Sequence, residues 1–158
     1  MAETARVGEE TLQLNGMALR SKAIFKVYVA GLYLAEKSSD YRAVLAADDH
    51  RRLVMHWVRS VDKSKVCDGW NDSLEANVPN ASTELKGDFE TLCGMMADAK
   101  TGDLFVFTYV PGTGTTVEVK GTTKGTIDGK QFADALWSSW IGEKPGPGEG
   151  FRDDLMGL

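Results

Sequence analysis

The stretch Lys22–Ala35, KAIFKVYVAGLYLA, constrains the fold more than any other. It is long, β-branched and aromatic, which reads as a strand. One face carries Ile24, Tyr28, Leu32 and Leu34; the other carries Phe25, Val27, Val29 and Tyr33. A strand that is apolar on both sides belongs in the middle of a sheet, covered above and below. Gly31 within it marks a bulge or the close approach of another segment. Arg51–Val58, RRLVMHWV, is a second two-sided strand.

Around these two, the chain reads as follows. Thr11–Leu14 is a short strand, and Asn15-Gly16 is a turn signal. Asp40 caps a short helix through Ala47. Ser60 caps a helix through about Asn77, with Asp62 in its first turn and Val66, Trp70 and Leu74 as its apolar stripe. A second helix runs from Thr83 to Asp98. Strands follow at Asp103–Val110 and Thr115–Lys120. Thr122–Gly125 is a turn and Thr126-Ile127 a short returning strand. Asp128 caps a helix bearing Phe132, Leu136, Ser139 and Trp140, and Glu149–Leu155 is a last short helix. Paired helices and a hairpin meander do not fit regular βαβ alternation. The expected class is α+β: an antiparallel sheet with helices packed on it.

The 158 residues suit a single domain, residues 1–158, large enough to bury its own core without a metal or disulfide scaffold. The net charge of −5 argues against nucleic-acid binding through bulk positive charge. No apolar run approaches the ~20 residues of a membrane helix. Met1–Glu10 has no charged-then-apolar signal pattern, so a soluble cytosolic protein is expected, or an exported one whose leader has been removed. A monomer is expected. Cys67 and Cys93 stand 26 residues apart on two helices. With His50 and His56 they make no zinc spacing, so no metal or other cofactor is expected. The two cysteines read as buried free thiols or as a disulfide between the helices.

Several motifs are structural. PGTGTT and KGTTKG lack phosphate-loop spacing and fit hairpin turns. There is no G-x-S-x-G elbow. Trp57, Trp70, Trp137 and Trp140 are core residues or the lining of an apolar pocket. Arg20, Lys22, Lys26 and Tyr28 form a cationic and phenolic set beside the apolar strand. An arginine can grip a carboxylate through two hydrogen bonds, and a tyrosine hydroxyl can add a third. The other reading is that the charges are solvated and Tyr28 packs in the sheet.

Leu14–Glu36, LNGMALRSKAIFKVYVAGLYLAE, resembles the signature of the chalcone isomerase-like family, in the phrases L-N-G-x-x-L-R and K-V-Y-V-A-G-L-Y-L. Phe105–Pro145, with FVFTYVPGTGTTVEVKG and the G-x-x-F-x-x-A-L-W-x-x-W-I-G-E-x-P helix, resembles the family's C-terminal half. The likeness covers nearly the whole chain and is stronger to the compact microbial branch than to the plant flavonoid enzymes. It implies an open-faced β-sandwich, a large antiparallel sheet covered by a layer of helices. It also implies one of two functions. True isomerases close a flavanone ring by adding a phenolate to an enone within one molecule. Fatty-acid-binding relatives hold a long-chain carboxylate in the same cleft.

Residue by residue, the likeness places Arg20 as the cleft arginine of both branches. It would stabilise enolate charge in an isomerase, or grip a carboxylate in a binder. Tyr28 falls where isomerases place a threonine and fatty-acid binders a tyrosine. Ser139 matches a late cleft serine or threonine. Asp62 and Gly69 stand where an isomerase has a tyrosine and an asparagine. The ligand-binding residues implied are therefore Arg20, Tyr28 and Ser139, with Arg20 catalytic only in an isomerase. The expected partner is a small hydrophobic ligand, a fatty acid or a phenolic. The alternatives are a ring-closing isomerase and a domain with no ligand. One geometric condition applies. In an unbroken strand Arg20 and Tyr28 would lie roughly 26 Å apart, so a shared site requires the chain to turn or bulge around Ser21–Ala23.

Overall fold

The computed structural model describes residues 1–158. Seven strands form one antiparallel sheet in which each strand pairs with the next in sequence. They are β1 (Thr4–Val7), β2 (Glu10–Lys22), β3 (Phe25–Leu34), β4 (Arg51–Trp57), β5 (Leu104–Val110), β6 (Gly114–Val119) and β7 (Thr122–Ile127). Helix α1 (Tyr41–Ala46) connects β3 to β4, and α2 (Lys63–Asn77) with α3 (Thr83–Met95) connects β4 to β5. After β7 come α4 (Lys130–Ile141) and α5 (Glu149–Leu155). This is the α+β, open-faced architecture expected.

Period-two patterning decides where the core sits. Tyr28, Ala30, Leu32 and Leu34 of β3, Leu53, Met55 and Trp57 of β4, and Phe105, Phe107 and Tyr109 of β5 meet the apolar stripes of all five helices in one cluster. Each large side chain buried this way contributes about 1.5–3 kcal/mol. The opposite face is only partly covered. Tyr33 is buried there with Val7 and Leu12, whereas Met17, Leu19 and Leu104 stay exposed. So β3 is central, as read, but it has helices on one side only.

The first third of the chain corrects the sequence reading. Lys22–Ala35 is not one strand. Lys22 pairs with Phe25 around a turn at Ala23-Ile24, and β2 runs back antiparallel to β3. Ala23 takes φ 55°, a left-handed conformation that no Gly or Asn announces. Conversely, Asn15-Gly16 is not a turn but a bulge inside β2. A methyl group at Gly16 would collide with the backbone carbonyls of Asp154 and Leu155. The Asn15 amide donates to the carbonyls of Ser38 (2.9 Å) and Leu155 (2.8 Å), tying α5 to the sheet.

Three smaller readings also change. The β6–β7 turn is Lys120-Gly121, both at positive φ, the backbone a tight hairpin favours; β7 therefore starts at Thr122. Helix α2 begins after Asp62, and its first turn is capped from a distance by Asp98, whose Oδ1 accepts from Lys63 N at 2.7 Å. Gly129, not Asp128, precedes α4. Asp40 caps α1 as read, accepting from Arg42 N and Ala43 N.

Candidate functional site

The β2–β3 hairpin resolves the distance problem. Arg20 and Tyr28 are register partners across the two strands, and facing residues of an antiparallel pair share a face with their Cβ atoms ~5 Å apart. The register shift between Arg20 and Ser21 falls at this pair. Together they stand at one end of the helix-covered face, under α2 and the loop after α4.

A cleft of about 850 Å³ opens there, within the range of small-molecule sites. Tyr28, Met55 and Trp57 supply its sheet side. Val66, Gly69, Trp70 and Ser73 of α2 form one wall, and Ser139 and Trp140 of α4 another. Gly146 and Pro147 also line it, and its charged residues besides Arg20 are Lys22, Arg59 and Lys65 with Asp62, Asp68 and Asp72.

Arg20 is half-buried and takes part in none of the chain's ion pairs. Its hydrogen bond within the protein is a long one, 3.3 Å from Nη1 to the Gly146 carbonyl. Gly146 N in turn donates to the Ser139 carbonyl at 3.0 Å, so the glycine-proline loop links the arginine to α4. Tyr28 is 8% exposed. Its ring packs against Trp57 at 5.2 Å and edge-on against Phe151 at 6.0 Å. Burial pushes its phenol up to about 12, against the opposing pull of the Arg20 charge and the Trp140 indole. The phenol thus keeps its proton at neutral pH and can donate it to an anion.

Ser139 is buried, and its hydroxyl finds no partner within the protein. The indole N–H groups of Trp57 and Trp70 are also unpaired. Asp62 and Gly69 both line the cleft. A methyl group at Gly69 would meet nothing within 4 Å, so the absence of a side chain there widens the space. Of the two lysines in the cationic set, Lys22 reaches the cleft; Lys26 is exposed and does not line it. Sequence reasoning missed Phe25, Arg59 and the Gly146-Pro147 loop. Arg59 stacks over the Phe25 ring at 3.9 Å. No motif signals this contact, because it depends on the Ala23-Ile24 turn, which carries no Gly or Asn.

An antiparallel sheet roofed by helices on one face, with an aromatic-lined cleft between the layers at one end, defines a class of open-faced β-sandwich proteins. Within that class the family is specific: residues 1–157 match the family described as chalcone isomerase-like, and the chain belongs to it. Among solved structures, the chain is similar to a fatty-acid binding protein of Arabidopsis thaliana. The TM-score is 0.76 at 16% identity, over 99% of this chain and 90% of that one. No curated protein sequence matches the chain. No helix is long and apolar enough to cross a membrane.

Proposed function

We propose that this protein binds a fatty acid or a similar hydrophobic carboxylate without transforming it. The observation that carries the reading is Arg20: a half-buried guanidinium with no carboxylate partner, beside a protonated tyrosine, in a cleft with five aromatic residues in its lining. In this reading the carboxylate takes two parallel hydrogen bonds from Arg20 and a third from the Tyr28 hydroxyl. The Ser139 hydroxyl supplies a further polar contact deeper in the cleft. The apolar tail lies along Trp57, Val66, Trp70 and Trp140 and contributes ~0.8 kcal/mol for each methylene buried.

The similar Arabidopsis protein is a fatty-acid binder, which supports the ligand class. Asp62 and Gly69 also favour binding over ring closure, since neither supplies the phenol or amide that the isomerase cleft calls for. The test is a calorimetric titration with palmitate, together with mass spectrometry of lipids extracted from the purified protein. Saturable binding that is lost in Arg20→Ala supports the reading. No binding by either protein defeats it, as does Arg20-dependent cyclisation of a chalcone above the buffer rate.

A further inference from the structure

Cys67 and Cys93 take no part in the cleft, yet they meet where its wall is held. Cys67 sits on the first turns of α2 and Cys93 near the end of α3. The Cys67 thiol points at the Cys93 carbonyl, with 3.8 Å between sulfur and oxygen. Both residues are only partly buried, so a small reagent can reach them. The neighbourhood is fixed from two sides. Val61 and Ala99 exchange backbone hydrogen bonds of 3.0 and 2.8 Å, and Asp98 caps the first turn of α2 at 2.7 Å. These bonds hold the two cysteine-bearing helix ends together before any covalent link exists.

We propose that Cys67 and Cys93 are a dithiol–disulfide pair that staples α2, the cleft wall, to α3. The wall is the element with most to gain. Cys67 lies between Val66 and Asp68, which both line the cleft. Gly69 weakens the helix interior, and the cleft leaves one flank of α2 without packing. The oxidant is a disulfide of the glutathione type. The Cys67 thiolate attacks one of its sulfurs, forming a mixed disulfide and releasing one thiolate. Cys93 then loses its proton and attacks the Cys67 sulfur, closing the bridge and expelling the second thiolate. The two protein thiols lose two electrons and two protons, and the oxidant leaves as two thiols. Burial, with Cys67 beside it, pushes the Cys93 thiol up; the proposal assigns Cys67, on the wall helix, as the entry point and Cys93 as the resolving partner. The inference is independent of what the cleft binds.

The folded protein is incubated with oxidised glutathione, alkylated and measured by intact mass and peptide mapping. The expected result is a loss of two hydrogens and a 67–93 cross-linked peptide. The thermal midpoint should rise by roughly 5–10 °C, and dithiothreitol should reverse the rise. Cys93→Ser should instead stop at a stable glutathione adduct on Cys67. Two thiols that remain alkylatable in the folded wild-type protein would overturn the inference. So would a persistent wild-type adduct, or a bridge that leaves the midpoint unchanged.

Discussion

Two arginines project from the same face of the sheet, and their surroundings are opposite. Arg51, at the start of β4, is 1% exposed. Its Nη2 donates to Asp134 Oδ1 at 2.8 Å and to the Ala47 carbonyl at 3.0 Å, and its guanidinium stacks over Tyr109 and Trp137. Lys130 and Tyr109 extend the network to Asp134 and Asp48. Arg20, at the other end of the face, has a single long bond to a carbonyl and no counter-ion. The difference separates a cation buried with its counter-ion from one left half-buried without one. Where the charge serves the fold, the chain supplies the carboxylate. At the cleft the chain supplies none and leaves space beside the guanidinium, as the proposed carboxylate ligand requires.

The largest effect should come from breaking the paired end. Asp134→Ala leaves the Arg51 charge buried without its partner and should cost ~3 kcal/mol or more in urea unfolding. Ligand affinity of the folded fraction should not change. Arg20→Ala should do the reverse. Affinity for a long-chain carboxylate should fall by about 2–5 kcal/mol, while stability stays within ~0.5 kcal/mol of the wild type. A large loss of stability without loss of affinity would show that the two arginines do the same job.

Alkaline titration sharpens the contrast further. The folded-state phenol of Tyr28 is raised by burial from its ordinary 10 to about 12. Between those values the unfolded chain has released a proton that the folded chain keeps, so stability falls as pH rises. The contribution is fully present below pH 10 and is lost by up to ~3 kcal/mol approaching pH 12. Tyr109, also pushed up to about 12 by burial and by Asp48, acts in the same direction at the paired end. Urea midpoints at pH 9.5 and 11.5 should therefore differ less in Tyr28→Phe than in the wild type. The smallest effect is on binding: Tyr28→Phe removes one donor and should weaken carboxylate affinity by about 1 kcal/mol at neutral pH, measured by calorimetry.

Much of this was readable from residue patterns. The helical stripes Val66–Trp70–Leu74 and Leu85–Phe89–Leu92 place α2 and α3 within a few residues, because spacing of three and four records which side is buried. The alternation in β5 and β6 is equally plain. The resemblance brought Arg20, Tyr28 and Ser139 to notice, and in the structure all three line one cleft. The β2–β3 hairpin was not readable. Ala23-Ile24 carries no turn residue, and the apolar run continues through it, so a strand and a hairpin predict the same local pattern. Asn15-Gly16 misled in the other direction, since its turn chemistry serves a bulge gripped by α5.

The sequence alone therefore determined the α+β class, the burial of each helix face and the presence of a cationic and phenolic set, Arg20, Lys22, Lys26 and Tyr28, beside an apolar strand. These follow from local periodicity and composition. Tertiary structure alone decided that Arg20 and Tyr28 are neighbours, that α2 and the Gly146-Pro147 loop close over them, and that Asp134 neutralises Arg51 rather than Arg20. The first depends on strand register across a turn that no Gly or Asn announces; the contacts Arg20–Gly146 and Arg51–Asp134 join residues more than eighty positions apart, so no local window contains both partners.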